Sequence, residues 1–415
     1  MDDGGRRITE PTSNYRWVVM AVWSTSAVTG FMVSNTLGVL LPSMSAELHL
    51  SPTQQGLLGS AAFWGNLVLA IPLSWWASKF RPKTLTFITL VLGTGFILLQ
   101  GAAPVFLVLI LGRVGFGITI LAREPARAHL IRQWFAPNEA VIVNGFSNVL
   151  FGIVVGAGLV LTPILLGNVG NDWRAVLYVY GGIFALLALV WVVLGKERLV
   201  ESRQIQEEES QGNLLKSTLA HRDIWIAGLG FVGASISFAA FINFYPTLML
   251  NEYQIPLRWS GAVLALGIFM GGPSGLLISY YVSRTGKRKR ILQAFGLLMV
   301  LSFIGMTSTG SLPLLFLFNF LNGISWGFFP ILFSVPFVLK NVRTREIAIG
   351  ISFLTLALSS GSILGSVLAG VLQQASGDLR MALFVLSFAS ISLSIAGILF
   401  RNNDSPVIES AELES

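Results

Sequence analysis

The chain has 415 residues, of which 53% are hydrophobic and 11% charged, against about 25% charged in soluble proteins. That balance excludes a soluble multidomain protein. The absence of cysteine excludes disulfides, thiol nucleophiles and thiolate metal sites.

Residues 1–16 are polar and mixed in charge, and read as an N-terminal tail with no cleavable signal. Twelve apolar segments follow, near 17–41, 54–77, 85–102, 105–130, 141–166, 175–194, 224–250, 261–282, 292–309, 312–339, 348–373 and 381–400. Each is close to the ~20 residues a membrane helix needs. The pattern predicts an all-α integral membrane protein of twelve transmembrane helices. Segments 17–194 form an N-terminal six-helix bundle and 224–400 a C-terminal one. Between them lies the charged loop 195–223, read as a flexible tether; 401–415 is a polar, acidic tail.

With the N-terminus inside, Lys and Arg gather on one side. They include Arg6, Arg7, Arg16, Lys79, Arg81, Lys83, Arg132, Lys196, Arg198, Arg203, Lys216, Arg222, Arg284, Lys287 to Arg290, Lys340, Arg343, Arg345 and Arg401. The other side has Arg174, Arg258 and Arg380. This asymmetry predicts a multi-pass protein of the cytoplasmic (inner) membrane with both termini in the cytoplasm. It also explains the net charge of +7 without nucleic acid.

The halves repeat. At a shift of 205, Ser78-Lys79-Phe80-Arg81-Pro82-Lys83 falls on Ser283-Arg284-Thr285-Gly286-Lys287-Arg288, and Gly56 on Gly261. At 206, Arg113 falls on Asn319, Gly117 on Gly323, and Asp172-Trp173-Arg174 on Asp378-Leu379-Arg380. A repeated six-helix half is a signature of transporters that rock two halves about a central site.

On these residues the chain resembles the major facilitator superfamily. Ser74 to Lys83 takes the place of the family's Gly-x-x-x-Asp-Arg-x-Gly-Arg-Lys loop, with Ser74 for Gly, Ser78 for Asp, Lys79 for Arg and Arg81 for Gly. The second copy keeps Gly286 and the basic cluster, with Ser283 for Asp. Arg113, Gly117, Pro125, Trp134-Phe135 and Glu139 resemble the anion:cation symporter branch. Where that branch usually shows Glu seven residues after the Arg, this chain has Ile120. The resemblance implies alternating access, a monomer, and basic loops (Lys79, Lys83, Arg284, Arg288) that latch the cytoplasmic side.

Segment 105–131 carries the unusual charges. An arginine in mid-membrane costs several kcal/mol, so Arg113 is expected to face a polar interior or a partner. Its guanidinium fork fits a carboxylate or phosphate, against the alternative of a structural arginine bonded to neighbouring helices. At ~100° per residue, Arg113, Gly117, Glu124 and Arg127 share one stripe. Glu124 is the only carboxylate placed inside an apolar run. With Arg123 and Arg127 it is read as a gating or structural group, and as a second choice a proton-coupling one; His129 is a weaker candidate. Neutral groups complete the candidate binding set: Asn35, Asn243, Asn319 and Tyr245. Each is weighed against simple interhelix hydrogen bonding.

No P-loop, metal-ligand cluster or catalytic triad spacing occurs, so no cofactor, metal or enzymatic activity is expected. The expected function is secondary transport of a small, carboxylate-like organic anion, possible modes being proton coupling and exchange. The alternative is a carrier or efflux protein for a neutral or cationic solute with Arg113 structural; a non-transporting receptor is the remote third.

Overall fold

The computed structural model describes residues 14–77, 79–136, 139–198, 211–339 and 344–400. Among these, every regular element is helical, as a lipid solvent demands of backbone that cannot hydrogen-bond to it. Eleven helices among the described residues are long and apolar enough to cross a membrane. The 26-residue Pro52–Ala77 supplies the twelfth.

In chain order, α1 is Tyr15–Asn35, continued beyond a break at Thr36 by Leu37–Leu48. Then come α2 (Pro52–Ala77), α3 (Pro82–Gly101), α4 (Phe106–Trp134), α5 (Ala140–Asn168) and α6 (Trp173–Leu194). The second bundle comprises α7 (Arg222–Asn251), α8 (Leu257–Thr285), α9 (Arg288–Ser308), α10 (beginning Leu312–Ser325), α11 (Thr344–Ser376) and α12 (beginning Leu379–Ser387). Two pseudo-symmetric six-helix bundles result. A ten-residue helix, Gln211–Ala220, lies within the stretch that the sequence suggests is only a tether. It docks on the start of α11, where Ser217 donates to the Glu346 carboxylate. The expectations for Arg6, Arg7, Ser78, Arg203, Lys340, Arg343 and 401–415 concern residues outside the described ones.

The repeat is physical as well as textual. At the head of α6, Arg174 holds the Glu47 carboxylate at 2.9 Å and donates to the carbonyls of Gly101 and Ala103 at 2.8 and 2.7 Å. At the head of α12, Arg380 donates to the carbonyl of Thr307, the shift-206 counterpart of Gly101, at 2.6 Å. In each case an arginine satisfies carbonyls that the end of α3 or α9 would leave orphaned. Asp172 and Asp378 cap these helices by accepting the N–H of Arg174 and Met381.

Between the bundles, three helix pairs meet at the end opposite the basic loops. The first part of α2 crosses α11 where Gly56 lies under the Ser366 carbonyl; its repeat mate Gly261 in α8 lies under the Leu159 carbonyl of α5. The third pair is α1 with α7. A methyl group on Gly38 would overlap the Ile242 carbonyl oxygen, so only glycine permits that approach.

Candidate functional site

α4 is continuous from Phe106 to Trp134 despite Pro125. Its first half packs against α2: a side chain at Gly117 would overlap the Ala62 carbonyl, as one at Gly323 in α10 would meet Gly267 in α8. Between these backbones there is no room for solvent, so the predicted stripe is divided. Arg113 and Gly117 lie in packed protein, whereas Glu124 and Arg127 line an open volume.

Arg113 is 2% exposed. Its Nη2 donates to the Ser34 carbonyl at 2.6 Å and Nη1 to that of Val33 at 3.4 Å, while Nε has no partner. Those carbonyls belong to the last turn of α1 before its break at Thr36. The guanidinium thus sits at the negative end of a helix dipole, where a cation is favoured. Arg123 is also buried; its Nε donates to Thr89 Oγ1 at 3.1 Å and its Nη1 to the Ser26 carbonyl at 2.8 Å. Both arginines are thereby held by neutral oxygens of α1 and α3.

At the level of Arg123, on the basic-end side of Arg113, α1, α4 and α5 line a cavity of ≈ 90 Å³. Its polar lining is Trp23, Ser24, Glu124, Arg127 and Ser147, and Phe31 forms part of the apolar wall. Ser147 Oγ donates to the Val143 carbonyl at 3.1 Å and lies 3.2 Å from Ser24 Oγ. Ser147's proton is therefore spent, and Ser24 donates to it. The indole N–H of Trp23, a residue 2% exposed, has no acceptor.

The neutral candidates tie helices together. Asn243 donates to Ser366 Oγ at 2.9 Å, joining α7 to α11, and touches the face of α2 at Gly59. Asn319 donates to the Val263 carbonyl of α8. Tyr245 is fully buried, and its hydroxyl reaches the Met306 carbonyl of α9 at 3.0 Å. Asn35 bonds back to Phe31 within its own helix. These four do not converge on the cavity.

The basic loops are unequal. Lys79 and Arg81 are exposed, and Glu197 accepts the Lys83 N–H at 3.3 Å and lies 3.8 Å from Arg81. In the second half Arg284 stacks over Tyr280 at 4.5 Å and Arg288 is half-buried. The place of Trp23 in the cavity wall, the ties made by Glu47 and Glu197, and the Arg16–Glu139 pair at 2.8 Å escaped the sequence reading. Their only trace was a tryptophan beside the polar run of α1 and carboxylates just outside the apolar segments.

A model of the Major Facilitator Superfamily matches residues 22–351. The chain is 22% identical over 273 residues to a probable L-galactonate transporter of Escherichia coli (strain K12), covering 62% of this chain and 59% of that one. It is 21% identical over 310 residues to the galacturonate transporter of Dickeya chrysanthemi, covering 69% and 89%. The chain spans about two thirds or less of the length of the first curated relatives it matches. Among solved structures, a bacterial homolog of the human lysosomal transporter Spinster, inward-facing and unoccupied, superposes with a TM-score of 0.76 at 16% identity. That match covers 93% of this chain and 95% of the other, and concerns the fold.

Proposed function

This chain belongs to the Major Facilitator Superfamily, and we propose that it is a secondary transporter of a small organic anion. Family and fold are those of transporters rather than enzymes. The observation that carries the anion reading is the charge of α4. Within its membrane-spanning stretch, three guanidiniums (Arg113, Arg123, Arg127) stand against one carboxylate, Glu124. Positive charge in a low-dielectric interior is costly, and is retained where a functional anion offsets it. That relatives are described as carriers of galactonate and galacturonate supports the same reading.

In this proposal the basic ends of the helices lie in the cytoplasm, following the asymmetry of Lys and Arg. A single chain alternates access by rocking its bundles about the glycine seam. Arg113 is the principal solute cation, reached when the break in α1 rearranges. Asn35, Asn243, Asn319 and Tyr245 exchange helix ties for solute contacts during the same motion. Arg123, Glu124, Arg127 and the loops at Lys79, Lys83, Arg284 and Arg288 gate the basic end.

A second reading is favoured by one observation. Arg113 already has two carbonyl partners at the break of α1, as a purely structural arginine would. The solute would then be neutral or cationic. A thermal-shift screen of purified wild type and Arg113→Gln against anionic, neutral and cationic metabolites separates the two, because a ligand of the native state raises its melting temperature. The anion reading expects small anions to stabilise the wild type and not the variant. Stabilisation by neutral or cationic compounds, or an equal response of the variant, would overturn Arg113 as the solute cation.

A further inference from the structure

Arg288, Lys289 and Arg290 form the first turn of α9, and Lys287 is its N-cap residue. That is the positive end of a helix dipole, where cations are disfavoured and anions are held. α9 begins without a side-chain cap and with no acidic residue in its first turn, so its leading N–H groups add to the same positive charge. Arg284 joins the cluster from the last turn of α8, stacked over Tyr280 at 4.5 Å. Among the described residues, none of these five cations is in an ion pair.

The first-half copy of this turn shows how the fold settles such a charge. At the head of α3, Glu197 accepts the Lys83 N–H at 3.3 Å and lies 3.8 Å from Arg81. One carboxylate there serves a helix N-terminus and offsets a cation together. At shifts of 205 and 206 the positions matching Glu197 are asparagines, 402 and 403, outside the described residues. Among the described residues, no carboxylate takes the place of Glu197 at the head of α9. The turn with more cations is the one without a carboxylate.

The surface beside the cluster identifies the chemistry of its partner. Tyr280 and Tyr281 are exposed, and Leu276 and Leu277 are exposed one turn deeper in the span. Exposed tyrosines at a helix end mark the level of lipid headgroups. A ligand that meets both surfaces is anionic at one end and apolar at the other. We propose that the α8–α9 turn binds an anionic phospholipid of the leaflet at the basic end. Its phosphodiester lies at the head of α9, against Lys287, Arg288, Lys289 and Arg290. Its acyl chains lie along Leu276 and Leu277. A choline headgroup would bring a cation into the cluster, which disfavours a zwitterionic lipid. A soluble phosphate would match the charge and leave the leucines unused. The proposal is independent of which solute the protein carries.

The test measures how added lipid raises the melting temperature of the full-length protein in maltoside micelles. The concentration dependence gives an apparent dissociation constant. The probes are dioleoyl phosphatidylglycerol, dioleoyl phosphatidylcholine and inorganic phosphate. Phosphatidylglycerol is expected to stabilise the wild type well above the other two. Each basic side chain near an anionic surface is worth about fivefold in affinity, so replacing Lys287, Lys289 and Arg290 together with Gln should weaken phosphatidylglycerol at least about tenfold. Arg284 and Arg288, placed above in the gate, stay intact. Gln at three exposed cations elsewhere on the same end, Arg81, Lys216 and Arg222, removes the same charge and should leave binding nearly unchanged. The melting temperature without added lipid certifies the fold of each variant. Where the triple variant does not fold, Arg290→Gln alone should weaken phosphatidylglycerol about fivefold.

Equal stabilisation by phosphatidylglycerol and phosphatidylcholine would overturn the proposal. Wild-type affinity in the α8–α9 variant would do the same. Equal losses in the two triple variants would also overturn it, because they would show diffuse attraction to net charge. Phosphate as effective as phosphatidylglycerol would overturn the lipid in favour of a soluble anion.

Discussion

The guanidinium of Arg113 in α4 donates to the carbonyl of Ser34 in α1 at 2.6 Å, two residues before α1 breaks at Thr36. One buried side chain thus holds the point at which the first helix is discontinuous. Replacing Arg113 with alanine removes this cap and opens a void at a site 2% exposed. The expected cost is on the order of 2–4 kcal/mol, with Arg113→Gln milder because an amide still donates. Thermal unfolding in detergent checks it: an unchanged melting temperature for the alanine variant would show that the break needs no cap.

Gly38 allows α1 and α7 to meet at the seam between the bundles. A methyl there must push the helices apart, since the atom it meets is a backbone carbonyl. Gly38→Ala is expected to loosen the end opposite the basic loops. The chain has no cysteine, so a single Thr247→Cys reporter on α7, 8% exposed, reads this directly. Its labelling by an impermeant maleimide should be slow in the Gly38 parent and several-fold faster with alanine.

Arg174 and its repeat mate Arg380 tie the non-basic ends of their bundles. Arg174 serves Glu47, Gly101 and Ala103 together. Arg174→Ala strands two helix-end carbonyls and should cost about 1–3 kcal/mol, whereas Arg174→Lys recovers part of it with a single ammonium. Because Glu47 is half-exposed, the carbonyls rather than the ion pair dominate. High salt should therefore leave most of the difference in melting temperature intact.

Glu252, just beyond α7, supplies a pH dependence outside the membrane spans. Burial, and then the like charge of Asp378, raise its pKa above the ordinary 4.5, against the opposing pull of Arg380. The folded state then holds this proton more tightly than the unfolded chain. The stabilisation is full below the unfolded pKa and is lost as pH rises through the raised folded value. Glu252→Gln should therefore raise the melting temperature at pH 7 and converge on the wild type near pH 4. A variant less stable than wild type at neutral pH would contradict the assignment.

The architecture was legible because lipid forces simple rules on the chain. The apolar segments at 141–166 and 312–339, for example, lie within a few residues of the observed spans Ala140–Asn168 and Leu312–Val338. The repeat was legible too: Gly117 and Gly323 do the same work 206 residues apart. What stayed hidden depended on distance across the fold. Thr36 is neither a proline nor a glycine that would announce the break in α1, and the bond to the Ser34 carbonyl comes from Arg113, 79 positions after Ser34. The helix periodicity put Arg113 and Glu124 on one stripe, but could not show that α2 covers the upper part at Gly117. Nor could it show that Ser24 and Ser147 would meet, because that depends on how α5 packs on α1.

The central claim is that this chain alone carries a small organic anion. Counterflow in liposomes tests it most directly: purified protein, vesicles loaded with unlabelled gluconate, and labelled gluconate or labelled glucitol outside. The expected result is transient, saturable accumulation of gluconate that Arg113→Gln abolishes, and none of glucitol. Accumulation of glucitol with none of gluconate, or gluconate counterflow undiminished in the variant, would contradict it.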